Sequence, residues 1–82
     1  MAWYVYILEC ADHTLYTGVT NNLERRVQEH NTSHIGAKYT RTRRPVVLAY
    51  SHQYVNRSEA QKEESRIKGL SRLAKKDLIE KS

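Results

Sequence analysis

Two tyrosines of this chain have the side chains and the spacing for proton-transfer chemistry. Tyr6 and Tyr16 stand on either side of a short run of turn residues. A phenol hydroxyl donates and accepts hydrogen bonds and, where its pKa is perturbed, can act as a base. Around a tight turn, the two side chains can face each other across a pair of strands. The same spacing also fits an ordinary cross-strand aromatic pair that only stabilises a sheet.

An arginine on the first predicted helix is a candidate for binding an anion. Leu23, Val27 and His30 recur at i, i+4 and i+7 and define the inward stripe of that helix. Arg26 falls beside this stripe, whereas Arg25 lies nearly opposite and is expected to be solvated. An inward guanidinium needs an acid or an anionic ligand, because an unpaired buried charge is costly. An arginine whose stem lies along the sheet edge with its head in water fits the pattern too.

Two adjacent carboxylates, Glu63 and Glu64, flank the apolar stripe of a later helix. The apolar positions of that stripe are Ala60, Ile67 and Leu70. Periodicity does not decide which of the two acids points inward. A carboxylate facing inward is a suitable ligand for Mg²⁺, which often takes one or two carboxylates and keeps water in its remaining positions. The alternative is a solvated helix in which Glu64 pairs with Lys68 at i, i+4.

The positive charge of the chain is concentrated in its second half. The formal net charge is +5. Residues 1–40 hold 3 basic and 4 acidic side chains, and residues 41–82 hold 11 basic and 5 acidic ones. The densest basic patch contains no acid, and its cations are Lys38, Arg41, Arg43 and Arg44. Such a patch indicates a polyanionic partner, most often nucleic acid, although many basic proteins bind no polyanion.

The elements that must position these residues follow the order β-β-α-β-α-α. The aromatic and β-branched run 2–9 and the run 15–19 predict a hairpin around turn residues 10–14. In the first strand Tyr4, Tyr6 and Leu8 share one face. Trp3, Val5 and Ile7 share the other face. Residues 31–44 predict a long basic loop, and residues 45–50 predict a third strand that begins at a proline.

Capping signals predict the three helices. The run Thr20-Asn21-Asn22 is an N-cap signal for a first helix that ends near residues 30–33. The capping box Ser58-x-x-Gln61 opens a second helix that runs to about Gly69. Ser71 caps a third helix over 72–81. With a hairpin among only three strands, an α+β fold is favoured, in which helices flank a three-stranded, mostly antiparallel sheet.

Length and composition limit the class of protein. The 82 residues are too few for two separate cores, so we expect one domain over 1–82. The single cysteine excludes a disulfide framework and a thiolate zinc cluster, and it fits a reducing, cytoplasmic setting. No apolar run approaches the ~20 residues of a membrane span.

Several ordered motifs over nearly the whole chain resemble those of one family. Tyr4-Val5-Tyr6 and Tyr16-Thr17-Gly18 are similar to two paired half-motifs, and Asn22-Leu23-x-x-Arg26-x-x-x-His30 is similar to the helix that follows them. This set resembles the GIY-YIG nuclease superfamily. The segments that look like its small stand-alone bacterial members are Tyr39-Thr40-Arg41, Arg44-Pro45-Val46 and Glu64-x-x-Ile67-Lys68-Gly69. Tyr4 replaces a glycine of the first half-motif and Thr17 an isoleucine of the second, and neither position supplies a catalytic side chain.

The resemblance implies metal-dependent cleavage of DNA phosphodiesters, and we expect it to be structure-selective, in repair or recombination. The residues that it places at the catalytic centre are Tyr6, Tyr16, Arg26 and His30. Tyr6 would help to deprotonate the attacking water, Arg26 would stabilise the phosphate charge, and His30 would orient a group or relay a proton. Glu64 would hold one Mg²⁺ or Mn²⁺ ion, and the field of Arg26 and the metal would lower the pKa of the tyrosine base.

The resemblance also bears on partners, because larger relatives carry specificity modules beside this domain. Here DNA would be held by the basic residues Lys38, Arg41, Arg43 and Arg44 and by the lysine-rich C-terminal segment. Binding should then be weak, salt-sensitive and directed to the DNA backbone. Two other functions remain open at this point: a non-catalytic nucleic-acid-binding module, and an interaction domain whose protein partner supplies specificity.

Overall fold

The computed structural model describes residues 2–32 and 36–81, and this part of the chain contains three strands and four helices. The strands are β1 (Trp3–Glu9), β2 (Leu15–Thr20) and β3 (Val47–Tyr54). The helices are α1 (Leu23–Thr32), α2 (Lys38–Arg41), α3 (Arg57–Lys68) and α4 (Arg72–Lys81). None of the helices in these two ranges has the length and apolar character that crossing a membrane requires.

The sheet has the strand order β2-β1-β3, and both pairings are antiparallel. The predicted α+β fold with an antiparallel three-stranded sheet is therefore confirmed. β1 is the central strand, and its residues 5–8 are buried because both faces of the sheet are covered. Val5 and Ile7 pack against Ala60 and Ile67 of α3 on one face. On the other face, a second cluster that contains Tyr6 and Leu8 packs against Leu23 and Val27 of α1.

The third strand was predicted with the wrong bounds. β3 begins at Val47, not at residue 45, and it extends to Tyr54, which pairs with Trp3. The amide and carbonyl of Val46 are instead bound by the side chain of Asn31, at 2.7 Å and 2.9 Å. The end of the strand was missed because Ser51, His52 and Gln53 are exposed on an edge strand and carry no apolar signal.

Two of the three predicted helix caps are confirmed. The side chain of Asn22 accepts a hydrogen bond from the Arg25 amide at 3.0 Å, and the Ser71 hydroxyl accepts one from the Ala74 amide at 3.1 Å. The predicted Ser58 capping box is wrong. The N-cap of α3 lies two residues earlier, at Asn56, whose side chain accepts a hydrogen bond from the Glu59 amide at 2.9 Å.

α1 ends at Thr32, within the predicted end at 30–33, but the predicted loop over 31–44 is wrong at residues 38–41, which form α2. Residues 33–35 of that segment lie outside the described residues. α2 has no apolar stripe that a sequence pattern could detect, and Thr40 is its buried residue. Gly36 lets the chain pass close to the end of α1, because a Cβ there would lie 2.6 Å from the carbonyl oxygen of Glu29.

Candidate functional site

The site is centred on Tyr6, whose ring crosses the neighbouring strand over Gly18. β1 and β2 pair with Tyr6 opposite Gly18 and Leu8 opposite Tyr16. The expectation that the two tyrosines face each other is therefore wrong. Tyr16 lies opposite Leu8, which is two residues beyond Tyr6 on the same face of β1. The two tyrosines are diagonal neighbours, and their rings meet at a third residue, His30.

Gly18 provides the space that the Tyr6 ring occupies. A Cβ on Gly18 would lie 2.4 Å from the Tyr6 hydroxyl oxygen and 2.6 Å from Cζ. We expect Gly18→Ala to displace a ring that is buried and hydrogen-bonded, and to lower the free energy of unfolding by about 1–3 kcal/mol. Urea denaturation measures this change, with Gly69→Ala as the control, because a Cβ on Gly69 meets nothing nearer than 3.5 Å. Equal losses in the two variants would contradict the packing argument.

His30, on α1, links the hairpin to α2. It is fully buried, at 0% exposure. Its Nε2 lies 2.9 Å from the Tyr6 hydroxyl, and its Nδ1 lies 2.7 Å from the hydroxyl of Thr40. The Tyr16 ring lies beside it, with 5.1 Å between ring centroids. His30 thus points inward, as predicted, and has a hydrogen-bond partner at each ring nitrogen.

Arg26 approaches the same centre from α1. Its side chain is 26% exposed, whereas that of Arg25 is 63% exposed, as the helical spacing predicts. Arg26 Nη1 donates to Glu29 at 3.0 Å, and its guanidinium also hydrogen-bonds the Tyr6 hydroxyl. Burial acts against the charged form, but the hydrogen bonds to Tyr6 and Glu29 outweigh it and raise the pKa of Arg26. The inward arginine therefore has an acid partner, Glu29, at the i, i+3 spacing that helical periodicity could have identified.

Burial decides the charge state of the centre. It raises the pKa of Tyr6 to about 12, although the hydrogen bond and the charge of Arg26 act in the opposite direction. Arg26 thus acts on this pKa in the predicted direction, but desolvation is the larger effect and leaves the pKa of Tyr6 raised. Burial, followed by the charge of Arg26, lowers the pKa of His30 to about 4. Tyr6 and His30 are therefore both neutral near neutral pH.

Tyr16 belongs to an aromatic row at the more open side of the centre. It is half-buried, whereas Tyr6 is only 1% exposed. Its ring stacks on that of Tyr39, with 5.9 Å between centroids and 29° between planes. The guanidinium of Arg43 lies 3.9 Å from the centroid of Tyr39. The row thus joins the hairpin to the basic segment that contains α2.

Glu64 and Glu63 influence different tyrosines. Glu64, with a side chain 22% exposed, pairs with Lys68 at 3.3 Å, which confirms the i, i+4 pair given above as an alternative. Its charge is among the weaker influences that raise the pKa of Tyr6. Glu63 pairs with Arg66 instead, and after burial its charge is the main influence that raises the pKa of Tyr50. Of the two acids, Glu64 is therefore the one that acts on the centre.

A metal at this centre would have few protein ligands. Within residues 2–32 and 36–81, no three His, Cys, Asp or Glu side chains are grouped as a metal cluster. Glu64 still fits Mg²⁺ or Mn²⁺, because a partly exposed carboxylate is a hard oxygen ligand and Mg²⁺ can complete its shell with water. Such an ion would compete with Lys68 for the carboxylate.

The four predicted DNA-binding cations differ in exposure. Lys38 and Arg41 are exposed on α2. Arg43 donates to Asp12 at 3.1 Å and to the carbonyl of Tyr39 at 2.8 Å. Arg44 donates to the carbonyls of Glu29 and His30 at the end of α1. The last two arginines therefore have structural partners that the sequence pattern did not indicate.

Thr40 is the member of the centre that sequence reasoning missed. It is fully buried, and its hydroxyl contacts both His30 and the carbonyl of Ala37. It stands in a polar, basic segment, where a threonine looks like a surface residue. No local signal could have identified it, because its partner is ten positions away on another helix.

Comparison with known proteins finds matches over nearly the whole chain. The family model described as the GIY-YIG catalytic domain matches residues 2–77. UPF0213 protein DP2720 of Desulfotalea psychrophila is 56% identical over 81 residues, which cover 99% of this chain and 74% of that protein. UPF0213 protein OB0043 of Oceanobacillus iheyensis is 57% identical over 77 residues, which cover 94% and 88%. The solution NMR structure of EF2693 from E. faecalis has a TM-score of 0.67 and 41% identity, with 99% of this chain and 85% of that chain covered.

Proposed function

Because this chain belongs to the GIY-YIG family, we propose that it is an endonuclease that cleaves DNA phosphodiesters with the help of one Mg²⁺ or Mn²⁺ ion. The observation that carries the proposal is the convergence of Tyr6, Arg26 and His30 in one hydrogen-bonded centre. The absence of a cluster of metal ligands in the described residues fits an ion held by one carboxylate and water. Branched or nicked DNA is the proposed substrate, which suits a role in repair or recombination.

Arg26 is the proposed contact for the scissile phosphate. A guanidinium presents a rigid fork of donors that matches two phosphate oxygens. Glu29 and Tyr6 already hold the Arg26 side chain, so little ordering is needed when a phosphate arrives. The arriving negative charge also offsets the charge of Arg26, which is one of the influences that lower the pKa of His30. Substrate binding therefore makes His30 a better proton acceptor.

Tyr6 and His30 form the proposed path for the proton of the attacking water. The water proton passes to the Tyr6 oxygen while the Tyr6 proton passes to Nε2 of His30, across the 2.9 Å hydrogen bond. The products are a hydroxide nucleophile, a neutral tyrosine and an imidazolium, so Tyr6 need not exist as a free phenolate. This route suits a tyrosine whose pKa is raised to about 12. Tyr16, more exposed than Tyr6, borders the approach to the centre.

Glu64 is the proposed metal ligand. A bound Mg²⁺ or Mn²⁺ would lower the pKa of a coordinated water and neutralise charge on the phosphate. Lys38 and Arg41 of α2, with Arg43 and Arg44 beside them, would hold the DNA backbone. The exposed cations Lys38 and Arg41 supply a weak, salt-dependent attraction, so a protein partner is the proposed source of further specificity.

A nucleic-acid-binding module without catalysis is the second candidate. The observation that favours it is the burial of Tyr6 and His30, at 1% and 0% exposure, which suits a purely structural network. This function would need the basic segment but neither the metal nor Glu64.

Incubation of the purified protein with branched, nicked and single-stranded DNA, with and without Mg²⁺ or Mn²⁺, tests the proposal. We expect cleavage that depends on the metal and is lost in Glu64→Gln. Glu63→Gln is the matched control, because the charge of that acid acts on Tyr50 and Tyr54 and not on Tyr6, so its loss should leave cleavage unchanged. Salt-sensitive binding without cleavage, unchanged in Glu64→Gln, would contradict the nuclease and support the binding module.

A further inference from the structure

The Thr40 hydroxyl reveals which nitrogen of His30 carries the proton. Its oxygen lies 2.9 Å from the carbonyl oxygen of Ala37 and 2.7 Å from Nδ1 of His30. The Ala37 carbonyl can only accept, and the Thr40 hydroxyl donates its single proton to it, beside the backbone amides of Thr40 and Arg41. The short contact with His30 then needs a proton from the ring. Nδ1 is therefore protonated and donates to Thr40.

The other end of the ring agrees with this assignment. A neutral imidazole carries one N–H, so a protonated Nδ1 leaves Nε2 with a lone pair. The Tyr6 hydroxyl, 2.9 Å away, donates its proton to that lone pair. The Tyr6 oxygen in turn accepts a hydrogen bond from Arg26. The donors thus run in one direction, from Arg26 through Tyr6, His30 and Thr40 to Ala37.

Burial makes the Thr40 hydroxyl difficult to replace as the acceptor of the His30 Nδ1–H. Thr40 and His30 are 0% exposed, so solvent does not provide an alternative acceptor for Nδ1–H. Without the Thr40 hydroxyl, this N–H would be buried and unsatisfied, which is costly. Moving the proton to Nε2 satisfies the ring N–H, because Nε2–H can donate to the Tyr6 oxygen. The Tyr6 proton then loses its acceptor.

We propose that Thr40 is a positioning residue that holds His30 in the Nδ1–H tautomer and so keeps Nε2 as the proton acceptor of Tyr6. Its consequence for DNA cleavage rests on the proposed function, whereas the tautomer itself does not. In this arrangement α2 supplies both the exposed cations Lys38 and Arg41 and the buried hydroxyl that orients the histidine. The same short helix therefore serves the proposed DNA contact and the proposed proton path.

Long-range ¹H–¹⁵N correlation spectra of the ¹⁵N-labelled full chain test the proposal, because they distinguish the two tautomers of each histidine ring. We expect the Nδ1–H pattern for His30 in the wild type and in Thr40→Ser, which keeps the hydroxyl. Thr40→Val, which keeps the shape but not the hydroxyl, is expected to show the Nε2–H pattern. His52, which is exposed, should give the same spectrum in all three proteins.

Cleavage assays provide the second measurement. Thr40→Val is expected to cleave DNA roughly 10- to 100-fold more slowly than the wild type, and Thr40→Ser is expected to restore most of the rate. A tautomer change in a protein that cleaves no DNA would support the positioning role and contradict only the proposed function.

An Nε2–H tautomer in the wild type would overturn the proposal, and so would an unchanged Nδ1–H pattern in folded Thr40→Val. Circular dichroism establishes whether that variant is folded. If Thr40→Val does not fold, the spectra of the wild type and of Thr40→Ser still decide. An Nδ1–H pattern in both would support the proposal, and loss of that pattern in either would overturn it.

Discussion

Arg26→Ala is expected to lower the rate of metal-dependent DNA cleavage by about 10²–10³-fold, the usual effect of removing one donor that stabilises transition-state charge. The guanidinium is held by Glu29 and by the Tyr6 hydroxyl, so it is ordered before a phosphate arrives. Arg26→Lys should recover little of the rate, because an ammonium lacks the planar fork that matches two phosphate oxygens. Single-turnover cleavage with protein in excess over DNA measures the chemical step.

Arg25→Ala is the matched control for Arg26→Ala. It removes the same charge from the adjacent position of α1, but the Arg25 side chain is 63% exposed, and its ion pair with Glu29 is longer than that of Arg26, 3.8 Å against 3.0 Å. We expect its cleavage rate to stay near that of the wild type. Equal losses in Arg25→Ala and Arg26→Ala would mean that only the overall positive charge matters, and would remove Arg26 from the catalytic centre.

Acidification is expected to destabilise the protein through His30. Its pKa is lowered from 6.5 to about 4 in the folded chain, chiefly by burial. Between these two values the unfolded chain binds a proton that the folded chain does not, so the free energy of unfolding falls as the pH falls. This one residue should contribute a loss of about 3 kcal/mol over the window, and no further loss below it. Urea denaturation at a series of pH values measures the slope.

His30→Gln is the variant that isolates this effect. It removes the titrating group, so the free energy of unfolding should depend less on pH than in the wild type, whatever the cost of the substitution itself. His52→Gln replaces an exposed histidine and should leave the slope unchanged. If wild type and His30→Gln had parallel pH dependence, His30 would not be buried in its neutral form.

The neutral state of the centre changes the role that Tyr6 can have. A tyrosine with a pKa of about 12 is a poor source of phenolate, but it is a good relay between a water and a neutral histidine. The relay depends on an acceptor at Nε2 of His30, and therefore on the Nδ1–H tautomer. The buried network and the proposed chemistry are thus linked through the position of one proton, the one on Nδ1 of His30.

Local patterns of the sequence determined much of this architecture. Strand alternation separates Tyr6 from Val5 and Ile7, and these residues pack on opposite faces as predicted. Helical spacing places His30 inward and Arg25 outward, and Asn22 and Ser71 cap their helices. These features depend on residues within one or two turns or along one strand, so short-range periodicity and capping are sufficient to predict them.

Only the tertiary structure decided the composition and charge state of the centre. The hairpin register places Gly18, not Tyr16, opposite Tyr6, because the pairing follows from the geometry of the turn at 10–14. The burial of Thr40 follows from contact with a distant helix, and the raised pKa of Tyr6 follows from desolvation that outweighs the nearby Arg26. Pairing register, long-range contact and dielectric environment are properties of the packed chain, so residue types and spacings alone could not determine them.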